Sequence, residues 1–174
     1  MKKLYPLALV LVLVLSMLVY SGAANSASAK SSNILEFNSM VGVPRPYTGA
    51  TNAIRGIPGG GLPWVIGFGQ GELNSNGKLE VVVRGLVLDP NDPAVIAAGL
   101  AGKNPIADFK ATVSCLSKDA GGNPTTVNVS TGLFPASPTG DANIEAAVSL
   151  PSPCIAPIVF VGPPGGAWFA ATGN

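Results

Sequence analysis

The sequence predicts an all-β fold, an antiparallel β-sandwich or partly open barrel of about seven or eight short strands. Three observations carry this expectation. Short runs in which apolar and polar residues alternate recur along the chain, the period of a half-buried strand. Turn signals interrupt them roughly every ten residues, drawn from 22 Gly and 16 Pro. No strand–helix–strand alternation appears, so a parallel sheet is not expected.

Residues 1–29 read as a secretory signal peptide. Lys2 and Lys3 form a positive start, Leu7–Val19 is an apolar run broken by Ser16, and Ala27-Ser28-Ala29 is a small-x-small cleavage site, with Ser21-Gly22-Ala23 a second one upstream. The alternative is an uncleaved membrane anchor, since the run approaches the ~20 residues that span a bilayer. A Lys-Lys start with a short apolar core suits a bacterial export signal. Cleavage would begin the exported chain at Lys30 and place it outside the cell or on its surface.

Residues 30–174 then form one domain: a first strand and a Gly/Pro-rich arm (30–62), followed by the β body (63–174). Without Lys2 and Lys3 the chain carries eight Lys and Arg against nine Asp and Glu, a net charge of −1. No basic patch favours nucleic acid and no acidic tail favours a polycation. The membrane enters only through the signal segment.

Ile34–Val43 reads as the first strand, ended by Pro44 and Pro46, which cannot donate to a ladder. Tyr47–Pro63 (YTGATNAIRGIPGGGLP) is too rich in Gly and Pro for a regular element. Long loops often carry function. Arg45, Tyr47, Asn52, Arg55 and Trp64, with Trp168, are therefore the candidate binding residues, a mixture of aromatic rings and forked donors suited to a surface glycan or an extracellular protein. The plainer alternative is that the arm shields a sheet edge and that both tryptophans belong to the core.

Pro63–Asp89 reads as a hairpin turned at Asn76-Gly77. With a two-residue turn, Ser75 faces Lys78 and Phe68 faces Gly85. Ile66, Phe68, Gln70 and Glu72 then share the core face with Leu79, Val81 and Val83, and Glu72 and Glu80 fall on opposite faces. A one-residue slip would exchange the faces of one strand. Asp92 can cap a short helix over residues 92–98, with Pro93 at its first position. Asp108–Leu116 alternates, with Phe109, Ala111, Val113 and Cys115 facing the core. Thr125–Ser130 is its partner strand. Asn143–Leu150 and Ile158–Val161 are further strands, and Ala167–Thr172 closes the domain. Cys115 and Cys154, 39 positions apart, suit one disulfide in an exported chain. Closing that loop is worth about 4 kcal/mol in the chain-entropy picture. Trp64 and Trp168 lie outside the Cys115–Cys154 interval, unlike the core Trp of an immunoglobulin domain.

The chemistry inventory is thin. The chain has no His, which removes His-based nucleophile systems, a His general base and His-ligated zinc. A Ser-Lys dyad is disfavoured because alternation places Lys110 outward. Asp89, Asn91 and Asp92 form the densest oxygen cluster, a weak calcium candidate that reads better as a turn and helix cap. Gly59-Gly60-Gly61 lacks the Lys-Ser/Thr of a phosphate loop, and Gly67, Gly69 and Gly71 lie within a strand, so no cofactor is implied. Asn128-Val129-Ser130 matches a glycosylation sequon, relevant only in a eukaryotic secretory pathway. The function expected is a non-catalytic structural or binding module of the cell exterior. The alternative is a small extracellular hydrolase using paired carboxylates.

Overall fold

A computed structural model describes residues 31–172. The signal segment and its cleavage sites lie outside the described residues. The fold is all-β and antiparallel, two sheets packed face to face without closing into a barrel. In chain order the strands are β1 (Asn33–Phe37), β2 (Met40–Gly42), β3 (Trp64–Val65), β4 (Phe68–Asn74), β5 (Lys78–Arg84) and β6 (Val87–Leu88). After helix α1 (Pro93–Ala97) come β7 (Asp108–Lys118), β8 (Pro124–Ser130), β9 (Phe134–Pro135), β10 (Ala142–Ala147), β11 (Ile155–Gly162) and β12 (Ala170–Thr172). One sheet has the order β1-β4-β5-β10. The other runs β2-β12-β11-β7-β8, with β9 beside β7, and β3 and β6 form a separate ribbon.

The first predicted strand is in fact two. It breaks at Asn38-Ser39, so that β1 joins one sheet and β2 the other. The chain crosses the sandwich there because Phe37 and Met40, on either side of the break, are both buried.

The β4–β5 hairpin pairs one residue away from the predicted register. Leu73 faces Leu79, Glu72 faces Glu80 and Phe68 faces Arg84. The cause is the turn. Gly77 alone takes the left-handed conformation (φ +87°), and its N–H donates to the Asn74 carbonyl at 2.9 Å. This three-residue loop ends in a glycine bulge, whereas a two-residue turn of the expected kind needs positive φ at Asn76 as well. Asn76 Oδ1 instead accepts the Lys78 N–H (3.1 Å). The slip turns Gly69, Gly71 and Leu73 inward and leaves Phe68 43 % exposed. At Gly71 the ring of Phe37 fills the space a side chain would take.

The core lies between the sheets. Leu73, Leu79, Val81, Val83 and Ile144 come from the first sheet, and Phe109, Ala111, Val113, Cys115, Val159 and Val161 from the second. Burying each large aliphatic or aromatic side chain is worth about 1.5–3 kcal/mol. Trp64 and Phe169 stack at 3.8 Å (12°), with Phe109 edge-on to both. The disulfide joins Cys115 in β7 to Cys154 just before β11, with Cα atoms 4.9 Å apart. It secures the stretch where β11 shifts register between Ile155 and Ile158.

The outer face of the second sheet is also covered, so β7 is buried on both faces over Ala111–Cys115 rather than half-buried. The arm is pinned there. Arg55 and Gly56, both at positive φ, turn a tight loop between Ile54 and Ile57. Arg55 Nη1 donates to the Ser114 carbonyl (2.8 Å), and Asn128 Nδ2 donates to the Arg55 carbonyl (3.1 Å). Further along, Gly59 pairs with Trp168 in parallel fashion. Two buried polar atoms, Ser114 Oγ and Trp168 Nε1, have no hydrogen-bond partner among the described residues.

Candidate functional site

A groove lies beside the ribbon β3–β6. Asp92 caps α1, its Oδ1 accepting the N–H groups of Ala94 (3.0 Å) and Val95 (3.2 Å). The N–H of Asp89 donates to Pro63 (2.9 Å) and that of Trp64 to Val43 (3.0 Å). These bonds tie the loop before α1, the ribbon and the end of β2 together. The resulting groove has a volume of about 510 Å3. Met40, Val41 and Gly42 form one wall; Pro63, Trp64, Val65 and Ile66 form another; Pro44, Arg45, Asp89, Asn91, Asp92 and Pro93 form the rim.

The rim is polar and fixed. Arg45 grips Asp92 with two hydrogen bonds, Nε to Oδ2 at 2.8 Å and Nη2 to Oδ1 at 3.2 Å. The Arg45 hydrogen bond holds the Asp92 carboxyl below the ordinary carboxylate range, and the amides of the helix N-terminus act in the same direction. Asp89 Oδ1 accepts the Asn91 N–H (2.9 Å). The two ion pairs among the described residues are Arg45–Asp92 and Lys78–Glu80, so Asp89 has no cationic partner. The walls are apolar and open: Val41 is 57 % and Val65 36 % exposed.

The residues singled out in the sequence divide. Arg45 and Trp64 meet Asp89, Asn91 and Asp92 around this one groove. Trp64 is buried, however, with one ring face against Phe169. Trp168 is buried against Phe160, and neither indole has a free face. Arg55 is spent on the second sheet. Asn52 Nδ2 donates to Pro46 within the arm (3.0 Å). Tyr47 is exposed but does not line the groove. Asp89, Asn91 and Asp92 act as turn and helix cap, and among the described residues no cluster of three metal-ligating side chains is placed to hold a metal. Val41, Val65 and Ile66 escaped sequence reasoning. Val41 lies inside a strand that the fold divides, Ile66 reads as part of the hairpin's core face, and Val65 carries no local signal.

The corrected register creates a second feature. Glu36 faces Glu72, Glu72 faces Glu80, and Glu80 faces Glu145. Four carboxylates thus cross the outward face of the first sheet in one row. Lys78 pairs with Glu80, and its ammonium pKa is raised, chiefly by that hydrogen bond, with Glu80, Glu145 and Glu72 adding attraction. Glu72 and Glu80 therefore share a face, contrary to the expectation from the two-residue turn. Comparison with known proteins finds no matching family, no matching curated protein and no matching solved structure.

Proposed function

We propose that this chain is a non-catalytic binding module of the cell exterior, exported by its N-terminal segment, and that it recognises its ligand in the groove beside Arg45. One observation carries the reading: two exposed valines, Val41 and Val65, line a groove whose rim is pre-set by the Arg45–Asp92 pair. An apolar concavity with a few convergent polar groups held in place is the usual form of a binding site, and rigid walls limit the ordering cost of association. The disulfide is compatible with an extracellular location. The test is a glycan-array and peptide-array screen of the exported protein alongside a Val41→Glu/Val65→Glu variant. Ligands lost by the variant at unchanged melting temperature support the proposal. Ligands that bind both proteins equally place recognition elsewhere and refute it.

A second reading, a carboxylate-dependent hydrolase, gains one observation from the register that aligns Glu72 with Glu80. It predicts glycoside hydrolysis that Glu72→Gln and Glu80→Gln each abolish; turnover unaffected by both substitutions contradicts it.

A further inference from the structure

We infer that the groove accepts an extended, aliphatic peptide segment bearing a basic side chain, a partner class that rests on the binding reading above. Three features of the site lead there. The first is the surface it offers. A sugar ring docks on a free aromatic face, and none lines the groove: Trp64 is 4 % exposed and stacked at 3.8 Å on Phe169. The exposed walls are aliphatic, Val41 and Val65, and complement branched apolar side chains.

The second feature is charge. Arg45 and Asp92 neutralise one another through two hydrogen bonds. Asp89, half-exposed on the same rim, keeps its carboxylate without a cation among the described residues. Its Oδ1 takes the Asn91 N–H, and among the described residues no donor bonds its Oδ2, which an incoming donor can take. A Lys or Arg reaching that oxygen would complete the rim, and an acidic side chain would be repelled. The third feature is shape. The groove runs along β2, the terminal strand of its sheet. An extended chain laid between β2 and β3 presents side chains alternately to its two sides, so that some reach the valine wall and others the acidic rim.

The experiment uses the exported protein and immobilised octapeptides with Val, Ile or Leu at alternate positions and Lys, Ser or Glu between them. Binding is read by fluorescence polarisation of the same peptides in solution. The Lys series is expected to bind at least tenfold more tightly than the Glu series. Asp89→Asn, which retains an oxygen for the Asn91 N–H, should reduce that preference about tenfold, the value of one charge-assisted contact. Val41→Ser with Val65→Ser should weaken every series. Equal binding of the Lys and Glu series, or a preference that survives Asp89→Asn, overturns the inference. If no octapeptide binds while an oligosaccharide does and loses affinity in the valine variant, the peptide class fails and the groove reading stands. If the valine variant changes no ligand's affinity, the groove reading itself fails.

Discussion

Removing the side chain of Asn104 should destabilise the domain more than any exposed substitution and should loosen the groove from behind. Asn104 is 6 % exposed and fully used. Its Nδ2 donates to the carbonyls of Ile106 (2.8 Å) and Ser137 (2.8 Å), and its Oδ1 accepts the Ile106 N–H (2.9 Å). The adjoining Lys103 carbonyl accepts the Leu88 N–H, so the loop that Asn104 fixes also holds β6 and, through it, β3. Asn104→Ala deletes three hydrogen bonds, each worth about 1 kcal/mol net, and leaves half-buried backbone groups of Ile106 and Ser137 unpartnered at a further cost. The expected loss is about 3–4 kcal/mol, or a fall in melting temperature of roughly 10 °C for a domain of this size. Urea denaturation gives the free energy directly, and an unchanged m-value keeps the comparison valid. Asn104→Asp keeps the acceptor but loses the donor and buries a charge, so it should be at least as damaging. A loss below about 1 kcal/mol for Asn104→Ala would refute the reasoning.

Arg55→Ala should cost about 2 kcal/mol, because the Ser114 carbonyl loses a charged donor. Arg55→Gly should cost about 1 kcal/mol less, since φ is +50° there; equal losses in chemical denaturation would show that the backbone is unstrained. Glu72→Lys should stabilise by about 0.5–1 kcal/mol through Glu36 and Glu80 on the flanking strands, less at high salt. Marked destabilisation would mean that Glu72 faces the core and that the register is the two-residue-turn one. The pH dependence should be one-sided. Asp92, Asp119 and Asp141 have lowered pKa values, owing first to the Arg45 hydrogen bond, the Asn123 amide and the Gly85 amide respectively. Their contribution is complete above about pH 4, the unfolded value, and disappears as the pH falls through the folded values. With no His in the chain, the melting temperature should be nearly flat from about pH 5 to 8 and drop on further acidification. A rise on acidification would contradict this, and Asp141→Asn should shallow the drop.

What the sequence made legible follows how local the determining interactions are. The alternation of Phe109, Ala111, Val113 and Cys115 gave β7 its core face, and all four are buried. The Asp92–Pro93 pair announced the cap and start of α1, and the two cysteines announced their bridge. The hairpin register was not legible, because Asn76-Gly77 fits both a two-residue turn and a three-residue loop. The choice depends on Asn76 keeping negative φ and on Gly77 passing beneath Val148, whose N–H donates to the Gly77 carbonyl. The crossing at Asn38-Ser39 was hidden for a similar reason: Ile34–Val43 carries no Gly or Pro at the break, and only the packing of Phe37 and Met40 divides it. As for the candidate site, Arg45 and Trp64 were identified but not their partners. The hairpin reading already brought Trp64 towards Asp89, but the Arg45–Asp92 pair joins segments 47 positions apart along the chain, which no local pattern encodes.

The groove can be tested most directly by chemical-shift mapping. The exported protein, labelled with nitrogen-15, is titrated with the tightest ligand from the glycan and peptide arrays. The account predicts that the largest amide shifts fall on Val41, Val65, Asp89 and their immediate neighbours, with the core strands β5 and β7 unmoved. Shifts centred on the Glu36–Glu72–Glu80–Glu145 row, or on the arm around Tyr47 and Arg55, would contradict it.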